Sequence, residues 1–375
     1  MKLPRHAELW LPGYLRDRFE RWTSPAAGPM RVWLAIADHY EPFVDGADEK
    51  MATERVELWS RNWPSIAESY RDSAGRPPCY TFFYPQEQYR PHLIDALAEM
   101  TRAGIGDVEI HIHHDGEGER DFVDRMSGFR ETLFHKHELL RKHQGQIRFG
   151  FIHGNWALDN SLPGGRYCGL NNEITLLQQL GCYADFTMPC GNSPAQARTV
   201  NQIYWAVDDP AKPKSYDRGK SFRAGDLAGD LAADPAKGLL MISGPLGIRW
   251  AGRFVPRIEK GEIAGYDLPS RYRVQRWLDW APRVGNDIFI KLFTHGTQER
   301  NSSALLPSGL SALFEAVEAE CGHRQWPFFY VSCWQMYQAI GAIGRREDPV
   351  AGLTSRIEPV TYRAASQAQN GKVHE

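Results

Sequence analysis

The stretch CYTFFYPQEQYRPHLIDALAEMTRAGIGDVEIHIHHDG, residues 79–116, is typical of a strand, a helix and a second strand in that order. Residues 79–84 and 107–113 are short runs of strand-forming residues bounded by polar segments. Residues 90–103, which lie between them, carry apolar side chains at helical spacing. Strands that alternate with helices in this way indicate a parallel sheet covered by helices.

The same alternation continues on both sides of this stretch. Further helices are predicted at residues 54–70 and 119–143. The predicted strands are residues 31–37, 79–84, 107–113, 146–152, 183–188, 238–242, 287–292 and 328–331. A chain of 375 residues can form one α/β domain of this kind, so we expect a parallel barrel of seven or eight strands.

The predicted barrel domain covers residues 30–345, between an N-terminal extension at residues 1–29 and a polar C-terminal tail at residues 346–375. Two stretches resemble insertions between strands. Residues 194–236 are rich in Asp, Ala, Pro and Lys, and residues 246–271 are Gly-rich and basic, with features of a hairpin. We therefore expect a single domain with two insertions.

Composition excludes several classes of protein. The chain has 44 basic and 46 acidic residues and a net charge of −2, so it has no general attraction for nucleic acid or anionic lipid. No apolar stretch approaches the roughly 20 residues that an integral membrane segment needs. The N-terminus lacks the apolar region of a secretory signal, and the six cysteines show no disulfide framework. These features predict a cytoplasmic protein with reduced thiols.

Polar residues collect at the carboxyl ends of the predicted strands, where a parallel barrel places its active site. Six of the 13 histidines lie at these ends. The strand-end segments are residues 38–39, 111–115, 153–156, 185–187 and 294–296. Strand alternation puts Glu109, His111 and His113 on one face, and imidazole and carboxylate groups gathered in this way favour a Zn²⁺ site. Alternatively, His111 and His113 are satisfied interior histidines, and His114 and Asp115 form a solvated turn.

Two further groups are candidates for catalysis and substrate binding. Lys291 and His295 share one face of the seventh strand, and His295 is either a general acid or a hydrogen-bonded structural residue. Asn155, Trp156 and Asp159 follow the fourth strand and could stack on and hydrogen-bond a sugar ring. The alternative for Trp156 is a place in the core. Nucleotide-binding and serine-hydrolase motifs are absent from the sequence.

Residues 79–116 resemble the polysaccharide deacetylase family, carbohydrate esterases with a distorted barrel of about seven strands. TFF at residues 81–83 and EIHIH at residues 109–113 stand where that family has a T-F-F strand and an E-[IV]-x-x-H strand end. The likeness extends over roughly residues 30–345. It includes LAIADHYEP at 34–42, FIHGNWALDNS at 151–161, FIKLFTHG at 289–296 and WPFFYVSCWQMYQAI at 326–340.

The resemblance implies roles for particular residues. Asp38 stands at the position of the catalytic base, His295 at that of the catalytic histidine, and His113 at that of the first metal-binding histidine. His39 replaces the metal-binding aspartate, and Glu117 replaces the second metal-binding histidine. The expected Zn²⁺ ligands are therefore His39, His111 and His113. Whether Asp38 or His39 is the first-strand ligand, and whether Glu117 joins the set, stays open.

The resemblance further implies a metal-dependent deacetylase that acts on an N- or O-acetylated sugar or polysaccharide precursor. Its expected partners are that acetylated carbohydrate and enzymes of polysaccharide biosynthesis. One alternative is a metal-dependent phosphoesterase or amidohydrolase on a histidine-rich barrel, with more than one metal ion. A second alternative is a noncatalytic, glycan-binding scaffold in polysaccharide assembly.

Overall fold

A large, mostly parallel β-sheet forms the centre of the protein. The computed structural model describes residues 3–24, 28–229, 231, 237–251 and 255–353. The strands are β1 Arg31–His39, β2 Tyr80–Pro85, β3 Gly106–Ile112, β4 Arg141–His143, β5 Gln146–His153, β6 Cys182–Asp185, β7 Ile203–Ala206, β8 Lys220–Ser221, β9 Leu239–Ile242, β10 Gly247–Trp250, β11 Pro256–Glu259, β12 Arg283–Val284, β13 Asp287–Thr294 and β14 Phe328–Tyr330. Every strand predicted from the sequence is present, which confirms the α/β class.

Helices connect most of the parallel strands. They are α1 Ala7–Thr23, α2 Glu49–Glu68, α3 Pro91–Arg102, α4 Glu119–His137, α5 Glu173–Gln179, α6 Arg271–Trp280, α7 Glu299–Ala304, α8 Leu310–Arg324 and α9 Cys333–Gly344. Among the described residues, no helix is both long and apolar enough to cross a membrane. All six cysteines are free thiols, as predicted.

The sheet has the strand order β12-β13-β1-β2-β3-β5-β6-β9-β7-β8. Strands β13, β1, β2, β3, β5, β6 and β9 are parallel to one another, and β14 also pairs with β1 in parallel. The carboxyl ends of these strands therefore lie at one end of the sheet. Strand β1 stands in the middle of this arrangement, next to β13, β14 and β2.

Strand β1 is apolar from Val32 to Ala37, as expected for a strand with both faces buried. Val32 and Leu34 lie in the larger apolar core, which also contains residues of α2, α3 and α8. Trp33 and Ala35 lie in a second apolar core with residues of α9. Alternate residues of β1 therefore face different layers of the protein, and this alternation decides where its polar terminal residues point.

Three predictions need correction or fall partly outside the described chain. The helix predicted at residues 119–143 ends at His137, because Glu138 has a left-handed backbone with φ 55°, and Arg141–His143 pairs with β5 as β4. Residues 194–236 contribute β7, which joins the central sheet antiparallel to β9, while residues 246–271 contain the hairpin β10–β11. Most of the predicted tail, residues 354–375, lies outside the described residues, as do 230, 232–236 and 252–254 within the predicted insertions.

Candidate metal centre

The ends of strands β1, β3 and β13 bring three histidines together. His39 ends β1 and His295 directly follows β13, and these two strands are paired in parallel with Asp38 opposite Thr294. The rings of His39 and His295 stack with their centroids 4.7 Å apart. The ring of His111, from β3, meets that of His39 edge to face at 5.2 Å. Because parallel strands end at the same side of the sheet, three segments distant in sequence meet here.

A carboxylate completes this group. Glu41 lies two residues after His39, and its Oε1 is 3.1 Å from His111 Nε2. The ligand atoms of His39, Glu41 and His111 all lie within 4.8 Å of one another, and all three residues are buried. We call these three residues the open cluster. Nitrogen and carboxylate oxygen are ligands of Zn²⁺ and related divalent ions, so the open cluster could hold a metal ion.

Hydrogen bonding fixes how His111 faces Glu41. The Nδ1 of His111 donates to the carbonyl oxygen of Ile152 at 2.8 Å, because a carbonyl can only accept. In the neutral ring, Nε2 then presents a lone pair to the Glu41 carboxylate. A second ring proton or a cation must separate these two acceptors. Metal-bound histidines commonly donate their other nitrogen to a backbone carbonyl in this way, so the donor set fits a metal ion.

Burial controls the charge of the cluster. Burial, reinforced by the charges of His295 and His111, holds the pKa of His39 well below its ordinary value, so His39 is neutral and able to bind a metal. Burial also lowers the pKa of His295, although Glu41 and Glu262 act in the opposite direction. Burial alone would raise the pKa of Glu41, but the hydrogen bond and charge of His111 bring it below its usual range.

One side of the open cluster faces solvent. The His113 side chain is 31% exposed; its Nε2 is 3.5 Å from Glu41 Oε1, and its Nδ1 is 2.6 Å from Glu87 Oε1. A cleft of about 450 Å³, lined in part by Lys260 and Glu262, lies nearby. The Lys260 ammonium is 5.4 Å from the centre of the Trp156 ring, which itself lies 5.8 Å from the His39 ring. None of the open-cluster residues lines this cleft, and the partly exposed ring of His113 lies beside Glu41 on the solvent side.

The predicted substrate-binding residues separate in space. Trp156 is half-buried beside His39 and His295, and its indole Nε1 finds no hydrogen-bond partner among the described residues. Asn155 is exposed in the same turn. Asp159 is buried, and its carboxylate accepts a hydrogen bond from the Ser215 backbone N–H at 2.6 Å. Trp156 thus adjoins the open cluster, whereas Asp159 is engaged in the interior.

Asp38 lies on the face of β1 opposite to His39. Its carboxylate accepts hydrogen bonds from the Gly296 backbone N–H at 2.7 Å and from the Tyr80 hydroxyl at 2.9 Å. Burial, which outweighs these two hydrogen bonds, raises the pKa of Asp38 to about 7. Asp38 therefore contacts the turn that follows His295.

Three other polar residues that the sequence singled out have their own partners. Glu117 forms an ion pair with Arg125 of α4, and Glu109 forms one with Arg141. The Lys291 ammonium donates to the Phe186 carbonyl at 2.8 Å. Each of these three charged groups therefore has a partner outside the open cluster.

Two carboxylates of this region, Glu41 and Glu87, were not among the predicted site residues. Glu41 lies two residues after His39, and this spacing could have identified it as a candidate ligand. Glu87 lies just after the end of β2, in the same kind of position as the histidines at the other strand ends. His114 is buried, so the suggested solvated turn is wrong for this residue. It belongs to a second group that could hold a metal ion, the closed cluster, formed by His114, His153, Cys168 and Glu173.

Comparison with known proteins adds no identification. No protein-family model matches this chain, and a search of curated proteins finds no match. The chemistry of the two clusters is therefore the basis for assigning a function.

Proposed function

We propose that the open cluster is the metal centre of a hydrolase that removes acetyl groups from an acetylated sugar. The convergence of His39, Glu41 and His111, next to the partly exposed ring of His113, carries this proposal. Residues 79–116, the segment that resembles polysaccharide deacetylases, contribute His111 to the open cluster and His113 beside it. The substrate class rests on that resemblance and on the Trp156 ring next to the cluster.

We also propose that the sheet curves into a distorted barrel. Strand β13 and the end of β6 are five places apart in the strand order, yet Lys291 of β13 donates to the Phe186 carbonyl, which directly follows β6. A flat sheet would hold these strands more than 20 Å apart, because neighbouring strands are about 4.8 Å apart. This contact across the interior supports the closed shape that the family resemblance implies.

Each residue of the site would have a separate role in the reaction. His39, Glu41 and His111 would hold a divalent ion, which when bound polarises a carbonyl and makes water more acidic. The neutral His295 ring, stacked on His39, takes a proton from water and returns it to the leaving amine or alkoxide. Asp38 acts as a positioning residue for His295, because it anchors the Gly296 N–H. The half-buried Trp156 ring, next to His39 and His295, would contact the sugar.

Acetate release from N- and O-acetylated sugars, measured together with metal content, tests this proposal. His111→Ala should lose the ion of the open cluster together with acetate release. His295→Ala should keep the ion and lose about 100-fold or more in turnover, the usual scale of proton-transfer catalysis. Glu117→Gln, a carboxylate paired elsewhere, should behave as the wild type. Phosphate release from phosphorylated sugars without acetate release would instead favour a phosphoesterase.

A further inference from the structure

The closed cluster brings four donor groups from separate segments into one buried place. His153 ends β5, His114 lies just after β3, and Glu173 begins α5. Strands β3 and β5 pair in parallel with Ile112 opposite His153, which sets the two imidazoles side by side. The side chains of His114, His153 and Glu173 are all 0% exposed. Neither the proposed hydrolysis nor the cleft involves any of them.

Three donor atoms face one another at the centre of this cluster. The Nε2 atoms of His114 and His153 are 2.9 Å apart. Glu173 Oε1 is 3.1 Å from His114 Nε2 and 3.3 Å from His153 Nε2. The other carboxylate oxygen, Oε2, is already occupied by the Asp159 backbone N–H at 2.6 Å. The two Nε2 atoms and Glu173 Oε1 therefore form a small triangle in the protein interior.

Too few protons are present to satisfy this triangle. His153 Nδ1 donates to the Gly154 carbonyl, so its Nε2 carries a lone pair when the ring is neutral. Glu173 Oε1 brings further lone pairs, and a neutral His114 can supply at most one proton. In the described part of the chain, the buried Nδ1 of His114 has no partner. A divalent cation at the centre would meet a lone pair from each of the three atoms.

Cys168 supplies a fourth donor, a buried sulfur. Its Sγ lies 3.4 Å from Glu173 Oε2. The four ligand atoms of the closed cluster, this sulfur included, all lie within 4.8 Å of one another. The backbone N–H groups of Asn160 and Leu170 point at this sulfur at 3.3 and 3.5 Å. Burial and the Glu173 carboxylate raise the pKa of the Cys168 thiol, and these two N–H groups act in the opposite direction, so a metal ion would displace the thiol proton as it binds.

We propose that His114, His153, Cys168 and Glu173 bind a structural divalent metal ion, best matched by Zn²⁺, at a site separate from the open cluster. Structural zinc sites use four nitrogen, sulfur or oxygen ligands and leave no position for substrate. The ion would tie the ends of β3 and β5 to the loop at Cys168 and to the start of α5. It would thereby hold the segment that carries His111 and His113.

Metal counting on the full chain, reconstituted with Zn²⁺, tests this inference. We expect two ions in the wild type and one in the double variant His39→Ala/His111→Ala, which removes the open cluster alone. The Co²⁺-loaded protein should show a thiolate-to-cobalt charge-transfer band that Cys168→Ser abolishes. Cys190→Ser, which changes another buried thiol, should keep the band.

The outcomes separate this inference from the proposed function. One ion in the wild type that persists in the double variant, with the thiolate band, supports the closed site and refutes the metal centre of the open cluster. One ion that the double variant loses overturns the closed site and leaves the proposed function intact. If the double variant does not fold, the Co²⁺ spectrum of the wild type decides, because absence of the thiolate band overturns the inference.

Discussion

The two clusters lie at the same end of the sheet and share strand β3, yet they differ in access to solvent. The three residues of the open cluster are buried, but their neighbours His113 and Glu87 are partly exposed. The closed cluster is buried at every one of its four residues. A catalytic metal needs a position for substrate, and a structural one needs none. The exposure of the neighbouring residues, rather than ligand type, is therefore our reason for proposing a catalytic role for one cluster and a structural role for the other.

The largest expected effect is on catalysis. His111→Ala removes a ligand of the open cluster and leaves Glu41 without its buried partner, so acetate release should fall to the uncatalysed background. Because His111 is buried against Glu41, the variant should also lose stability, so activity is compared at a temperature at which circular dichroism shows the variant folded. Parallel measurement of acetate release and circular dichroism checks this. Activity retained in a metal-free variant would contradict the role of the open cluster.

The next effect is on stability. His153→Ala in the closed cluster should lower the free energy of unfolding by about 3–5 kcal/mol, the usual scale when one partner is removed from a buried charged group. His113→Ala, at the edge of the open cluster, is the control and should cost far less. Urea denaturation of the zinc-loaded proteins measures both. Equal stability of the two variants would remove the contrast between the clusters.

A smaller effect is expected from the residue that orients His113. Glu87→Gln weakens the contact that orients His113 beside Glu41, one step removed from the ligand, so its cost should lie at or below the low end of the roughly 10–100-fold typical of residues that support a ligand directly. We therefore expect weaker zinc binding at the open cluster and unchanged binding at the closed one. Competition with a chromophoric chelator resolves the two affinities. An equal loss at both sites would show that the clusters are not independent.

The last effect concerns pH and the support of His153. The Thr187 hydroxyl accepts the His153 backbone N–H and donates to Asp185, and burial, opposed by the two Thr187 hydrogen bonds, raises the pKa of Asp185 to about 7. Because the folded state keeps this proton longer than the unfolded chain, the wild type should lose stability relative to Asp185→Asn as pH rises from about 4 to 7. Urea denaturation across this range checks it, and a constant difference would contradict it.

Much of the fold could be predicted because its strands are continuous apolar runs. Strand β7 was missed because its four residues, Ile203–Ala206, lie in a stretch rich in Asp and Pro and pair antiparallel with a distant strand. The end of α4 was missed because the left-handed backbone at Glu138 follows from tertiary packing, with no glycine to mark it.

The candidate site could be predicted only where strand alternation applies. His39 and His111 lie at or near strand ends, so the pattern that found the strands also found them. Alternation also predicts that Asp38 and His39 face opposite sides, and the structure confirms this. Cys168 and Glu173 lie in a loop and at a helix start, and no spacing in the sequence relates them to His114. Only the folded chain brings these three together.

The rate at which a chelator removes zinc from the fully loaded wild type tests the central distinction most directly. A chromophoric chelator added in excess should release one ion rapidly from the open cluster and the second at least about 10-fold more slowly from the closed cluster. His39→Ala/His111→Ala should show the slow phase alone. Release of a single ion in one rapid phase, absent from the double variant, would contradict the existence of a closed metal site.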